Sequence, residues 1–155
     1  MRPGHPIASS ETLPDKASRG STGSDHAALT TLWKGRRLLW VDDSRVLLSL
    51  YKSVFESLGF EVLATSSPEE ALLHVSSDAA DMAILDYDMP GMNGEMLASM
   101  MKAQAPGLPV ILYSGSSRIL RSAHPWVDAI CAKAAPREEL LTTIEQLWPK
   151  SPQIA

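Results

Sequence analysis

The chain has 155 residues, 45% of them hydrophobic, which suits one domain of ordinary size with a core of its own. A single cysteine excludes a disulfide framework and the lack of any long apolar run excludes membrane insertion; no apolar stretch follows a basic start, so no signal peptide is expected and a cytoplasmic protein is. The net charge of -4 divides into four Lys or Arg against three Asp or Glu over residues 1–34 and ten against fifteen beyond, with no basic stripe, which argues against direct nucleic-acid binding.

Residues 1–24 are rich in Ser, Gly, Thr and Pro with almost nothing apolar to bury, so they cannot offset their ordering entropy and are expected to be disordered. Asp25 can cap a short helix over 25–33 that carries Leu29, Leu32 and Trp33 on one side. Residues 1–34 therefore form an expected N-terminal extension, ahead of one domain over 35–149 and a tail at 150–155.

From Arg36 the pattern is strand then helix, five times over. The run Leu38-Leu39-Trp40-Val41 ends in Asp42 and Asp43, Ser44 is the expected cap, and Leu47, Leu50, Tyr51, Val54, Phe55 and Leu58 recur at helical spacing until Gly59. A strand at Glu61 to Ala64 leads to Pro68-Glu69-Glu70, a proline and two acids at a helix start, with Ala71, Leu72 and Val75 inward. Met82-Ala83-Ile84-Leu85 ends in Asp86. The loop Pro90 to Gly94 then feeds a helix whose stripe of Met96, Leu97, Met100 and Met101 reads as adaptable core packing. Val110-Ile111-Leu112-Tyr113 ends in Ser114 and Gly115, and the helix after it, Arg118 to Ala123, must be short because Pro125 opposes continuation. Ala129-Ile130-Cys131-Ala132 ends in Lys133, with Cys131 a small buried hydrophobe. The last helix starts near Pro136-Arg137, buries Leu140, Leu141, Ile144 and Leu147, and stops at Pro149.

Alternating strands and helices predict a doubly wound α/β fold on a parallel sheet. Strands without polar alternation are buried on both faces, so Asp42, Asp43, Asp86, Ser114 and Lys133 all emerge at one carboxyl edge, where open α/β sheets place their ligands. Three carboxylates within about 5 Å repel by roughly 3 kcal/mol per pair at an effective dielectric near 20. A hard divalent cation relieves that repulsion, and Mg2+ characteristically takes one or two carboxylates plus water and phosphate oxygens. A hydroxyl and an ammonium at the same edge suit a phosphoryl group. His5, His26, His74 and His124 lack metal spacing with one another.

The order Asp-Asp, Asp, Ser, Lys, with the segment Asp86-Tyr87-Asp88-Met89-Pro90-Gly91-Met92-Asn93-Gly94, resembles the receiver domain of bacterial two-component response regulators, over residues 36 to 148. The resemblance implies a flavodoxin-like three-layer α/β/α fold of five parallel strands in the order 2-1-3-4-5. It also implies Asp86 as phosphoacceptor, Asp42 and Asp43 as the acidic pair at Mg2+ or Mn2+, the Asp88 carbonyl as a further metal ligand, and Ser114 and Lys133 on the phosphoryl oxygens. The implied donor is a sensor histidine kinase, a histidine phosphotransfer protein or a small acyl phosphate. The domain then catalyses its own phosphorylation and slow dephosphorylation and, as a stand-alone receiver of the chemotaxis type, acts by binding a downstream protein target.

Two positions depart from the family. Ala134 replaces the proline after the lysine, and cis peptides are essentially a proline phenomenon. Ile130 replaces the switching aromatic and has no ring to swing. One alternative is a pseudo-receiver that binds partners without accepting phosphate. Another is a haloacid-dehalogenase-type phosphatase, which Asp86-Tyr87-Asp88 also resembles, but that family carries its metal-binding acids after the lysine, where this chain offers only Glu138, Glu139 and Glu145.

Overall fold

The computed structural model describes residues 28, 30–116 and 125–150. The expected disorder of 1–24, most of the capped turn at 25–29, the short helix at 118–123 and the end of the tail lie outside the described residues. Five parallel strands, β1 (Arg37–Val41), β2 (Glu61–Thr65), β3 (Met82–Asp86), β4 (Val110–Ser114) and β5 (Ala129–Ala132), form one sheet in the order β2-β1-β3-β4-β5. The helices between and after them are α1 (Arg45–Ser57), α2 (Pro68–Ser76), α3 (Gly94–Gln104) and α4 (Arg137–Leu147). This is the doubly wound, flavodoxin-like α/β fold. No helix among the described residues is long and apolar enough to cross a membrane.

Strand alternation sorts the core into two halves. Leu38, Trp40, Met82, Ile84, Ile111, Tyr113 and Cys131 pack with Leu48 and Phe55 of α1 and Leu140 and Ile144 of α4. Leu39, Val41, Ala83, Leu85, Val110 and Leu112 pack on the other face with Ala71 and Val75 of α2 and Leu97, Ala98 and Met101 of α3. Every residue of β3 and β4 is buried, as a parallel strand covered on both faces must be.

Local chemistry sets the helix starts. Ser44 accepts from the Leu47 N–H, Ser67 from the Glu70 N–H with Pro68 at the first position, and Asn93 from the Met96 N–H. Pro136 precedes α4 without a side-chain cap. At the opposite edge Arg37 forks onto both oxygens of Asp81 (Nη2 to Oδ1 2.8 Å, Nε to Oδ2 3.2 Å) and pins the start of β1 to the residue before β3.

Two helical expectations are corrected. In α1 the buried residue is Leu48, and Leu50 is 54% exposed. That helix is apolar on more than one side, and only contact with the sheet decides which stripe turns inward. The methionine stripe of α3 divides for the same reason: Met101 and Leu97 are buried, whereas Met96 and Met100 face outward. Trp33, on the near side of the expected boundary at residue 35, is buried in the α1/α4 half of the core, stacked on Phe60 with centroids 4.8 Å apart. Helical residues 30–33 reach this position because Gly59 has φ +109° and no side chain: a Cβ there would press into the Thr30 carbonyl. The Arg36 guanidinium completes the packing, 4.8 Å from the Trp33 ring centroid and 4.9 Å from that of Trp148.

Candidate functional site

Register assembles the carboxyl edge. Val41 pairs with Leu85 and Asp86 with Tyr113, so Asp42, one residue past Val41, arrives level with Asp86, and Ser114 pairs with Ala132, one residue before Lys133. Alternation puts Asp42, Asp86, Tyr113 and Lys133 toward the α1/α4 side of the sheet and Ser114 toward the other.

The carboxylates of Asp42, Asp43 and Asp86 each offer an oxygen within 4.8 Å of the other two. Asp42 and Asp86 are buried and Asp43 is exposed, so the group opens to solvent through Asp43. Lys133 bridges the buried pair, with Nζ 2.9 Å from Asp42 Oδ2 and 3.2 Å from Asp86 Oδ1. The other oxygen of Asp42 accepts from the Ser44 N–H at 2.9 Å, which ties it to the start of α1. Asp86 Oδ1 accepts a long bond, 3.4 Å, from the Asp88 N–H.

The charges are unequally matched. Burial holds the Asp86 carboxyl above the usual aspartate range, the neighbouring Asp42 charge adds to this, and Lys133 opposes both. Burial alone would push the Lys133 ammonium down, but the Asp42 hydrogen bond and the Asp42 and Asp86 charges outweigh it, so its pKa is raised. One ammonium thus faces three carboxylates. Three hard oxygen donors with surplus negative charge, open on one side, fit a divalent cation of the Mg2+ type and offer no soft ligand.

The remaining expected residues are placed as follows. Ser114 is buried; its hydroxyl accepts from the Ser116 N–H at 3.0 Å, and its carbonyl accepts from the Lys133 N–H at 2.7 Å. It reaches Lys133 through the main chain, and its hydroxyl is engaged in its own loop. Asp88 is exposed and its carboxylate is not part of the acidic group. The peptide after Lys133 is trans, since no cis bond occurs among the described residues. Ile130 is half-buried against the α2/α3 half of the core. Glu138, Glu139 and Glu145 are exposed on α4 and none joins the acidic group, so the arrangement needed by the phosphatase alternative is lacking among the described residues.

Two positioning features escape a reading of strand ends. Gly94 opens α3 directly against β3: a Cβ there would overlap the Asp86 carbonyl oxygen and the Leu112 side chain. Its N–H donates to the Tyr87 carbonyl at 3.0 Å, closing the loop after Asp86. The glycine at the end of that loop, directly before a helical run, was the available signal. Tyr113 is the other, with Lys133 Nζ 6.0 Å from its ring centroid. Its parity with Asp86 across the β3–β4 pair could have marked it.

A family model described as the response regulator receiver domain matches residues 38–145. The C4-dicarboxylate transport transcriptional regulatory protein DctD of Rhizobium meliloti is 39% identical over 79 residues, which are 51% of this chain and only 17% of that protein. The fold is similar to the response regulator protein TrrA of Thermotoga maritima in complex with Mg2+-BeF, with 28% identity, a TM-score of 0.67, and 72% of this chain and 98% of that one covered. It is also similar to a structure of the histidine kinase ThkA in complex with TrrA, with a TM-score of 0.65, 28% identity, and 72% and 97% of the two chains covered.

Proposed function

Since the chain belongs to the response regulator receiver domains of two-component systems, we propose that it accepts a phosphoryl group on Asp86 from a histidine kinase or histidine phosphotransfer protein and passes the signal on by binding another protein. The observation that carries this reading is the bridge of Lys133 between Asp42 and Asp86 beside the exposed Asp43. TrrA's complex with ThkA supports a kinase as donor.

Asp42, Asp43 and Asp86, with the Asp88 carbonyl, would hold Mg2+ or Mn2+, which supplies charge neutralisation for the entering phosphoryl group. The chain's own residues do the rest by positioning and electrostatics. An oxygen of Asp86 attacks phosphorus in line, a P–O bond forms as the bond to the donor breaks, and the leaving group takes its proton from solvent. Lys133, already 3.2 Å from Asp86, moves its hydrogen bond to a phosphoryl oxygen and remains tethered to Asp42. The Ser114 hydroxyl, released from the Ser116 N–H, donates to another phosphoryl oxygen and draws the loop after β4 with it. Water attack at phosphorus later returns the carboxylate.

Incubation with acetyl phosphate and Mg2+, followed by intact mass measurement, tests this. One phosphoryl mass should be gained, sensitive to hydroxylamine and absent in Asp86→Asn. A label that persists in Asp86→Asn, or maps to Asp42, Asp88 or a serine, would overturn the assignment.

A further inference from the structure

The resemblance expects two devices around Lys133, a proline behind it and an aromatic three residues before it, and this chain has neither. Ala134 follows over a trans peptide, and Ile130 faces the other half of the core. Lys133 itself projects just past β5, a four-residue strand at the edge of the sheet. A long flexible side chain leaving a short edge strand would lose much rotamer freedom to stay between two carboxylates.

A set of rings lies against it instead. Tyr113 is buried at 8% exposure, pairs across the sheet with Asp86, and has the Lys133 ammonium over its ring at 6.0 Å. That ring is braced edge-on by Tyr51 of α1, with centroids 5.6 Å apart at 72°, and by Trp40 of β1, 5.8 Å apart at 82°. Tyr51 and Trp40 are in turn stacked on each other at 4.5 Å and 17°. The ammonium therefore has Asp42, Asp86 and an aromatic ring around it, and a ring within about 6 Å attracts a desolvated cation.

Resting on the proposed phosphoacceptor role of Asp86, we infer that Tyr113 is a positioning residue: its ring, fixed by Tyr51 and Trp40, holds the Lys133 ammonium over the Asp42–Asp86 pair for phosphoryl transfer. The ring touches neither donor nor phosphoryl group and acts only through Lys133. It supplies from the α1/α4 side the stiffness that a proline after the lysine would supply along the chain.

Two measurements test the inference. The first is a double-mutant cycle by urea denaturation without metal or phosphodonor, using Tyr113→Ile, Lys133→Met and the double variant. The two changes should couple by about two- to fivefold in the folding constant, and Tyr113→Phe should keep the coupling. The second is the labelling rate with acetyl phosphate and saturating Mg2+. Tyr113→Ile should lower the maximal rate about tenfold with the half-saturating donor concentration within about twofold of the parent, Tyr113→Phe should restore it, and the loss should vanish in the Lys133→Met background. If Tyr113→Ile does not fold, Tyr51→Leu, which leaves the sheet intact, should give a smaller loss with the same dependence on Lys133. Additive stabilities, or an equal rate loss with and without Lys133, would overturn the inference. Absence of labelling in the parent chain, with the stability cycle still coupled, would instead remove the phosphoacceptor reading and leave the Tyr113–Lys133 hold standing.

Discussion

The buried carboxylates of Asp42 and Asp86 share one ammonium, that of Lys133, at 2.9 Å and 3.2 Å, while Asp43 adds a third negative charge on the open side. The group is thus left with a net deficit of positive charge at the edge where ligands of this fold bind.

A divalent cation should therefore stabilise the protein before any phosphodonor is present. Binding to the native state alone adds RT ln(1 + [M]/Kd), about 1.4 kcal/mol at tenfold excess over Kd, or a rise of roughly 3–5 °C in Tm for a chain of this size. Asp43→Ala should remove at least half of the rise, measured by thermal melts at millimolar Mg2+. Identical curves with and without Mg2+ would discard the metal assignment.

The raised pKa of Asp86 gives a pH signature with a definite sign. The native state keeps a proton on Asp86 that the unfolded chain releases near its ordinary pKa of 3.8. Stability contributed by this group therefore falls as pH rises from that value through the raised native pKa, and stays lowered at neutral pH. Asp86→Asn should stabilise the metal-free protein at pH 7, on the order of 1 kcal/mol, and the gain should shrink toward pH 4. Urea titrations at the two pH values check this. A variant less stable than the parent at pH 7 would mean that Lys133 overcompensates the group.

Gly94→Ala should damage both fold and site. The added methyl meets the Asp86 carbonyl and Leu112, so α3 must shift away from the end of β3 at a cost of about 1–3 kcal/mol. Acetyl phosphate labelling should slow with it. Gly107→Ala is the matched control, because nothing lies within 4 Å of a Cβ added there. Equal behaviour of the two variants would count against a positioning role for Gly94.

Signal transmission should bypass Ile130. With no ring at that position, phosphorylation or a beryllofluoride mimic should change amide exchange at residues 114–116 and at Trp126 more than at 129–131, and Ser114→Ala should weaken the change. Uniform protection along β5 would refute this route.

The sheet and the acidic group were legible in the chain because parallel strands deliver their last residues to one edge, so four apolar runs ending in Asp, Asp, Ser and Lys need no tertiary knowledge to be brought together. Leu48 against Leu50, and Met101 against Met100, were not legible. Both helices carry apolar residues on more than one side, and periodicity alone does not rank the sides. Tyr113 was visible only as the last apolar residue of its strand. Its relation to Lys133 depends on two strand registers and on rings from α1 and β1, which are contacts distant in sequence.

Trp33 and Trp148, which flank the Arg36 guanidinium, both fall outside the stretch 38–145 that matches the family. A fragment cut at those limits would discard Arg36 and both of its aromatic walls and bare Phe60, which stacks on Trp33 and sits 6.2 Å from Trp148. Fresh apolar surface at a cut end invites association between fragments. Anyone grafting this domain onto another protein should therefore carry residues 30–148 as one piece, with the joint placed ahead of the helix that packs on Gly59.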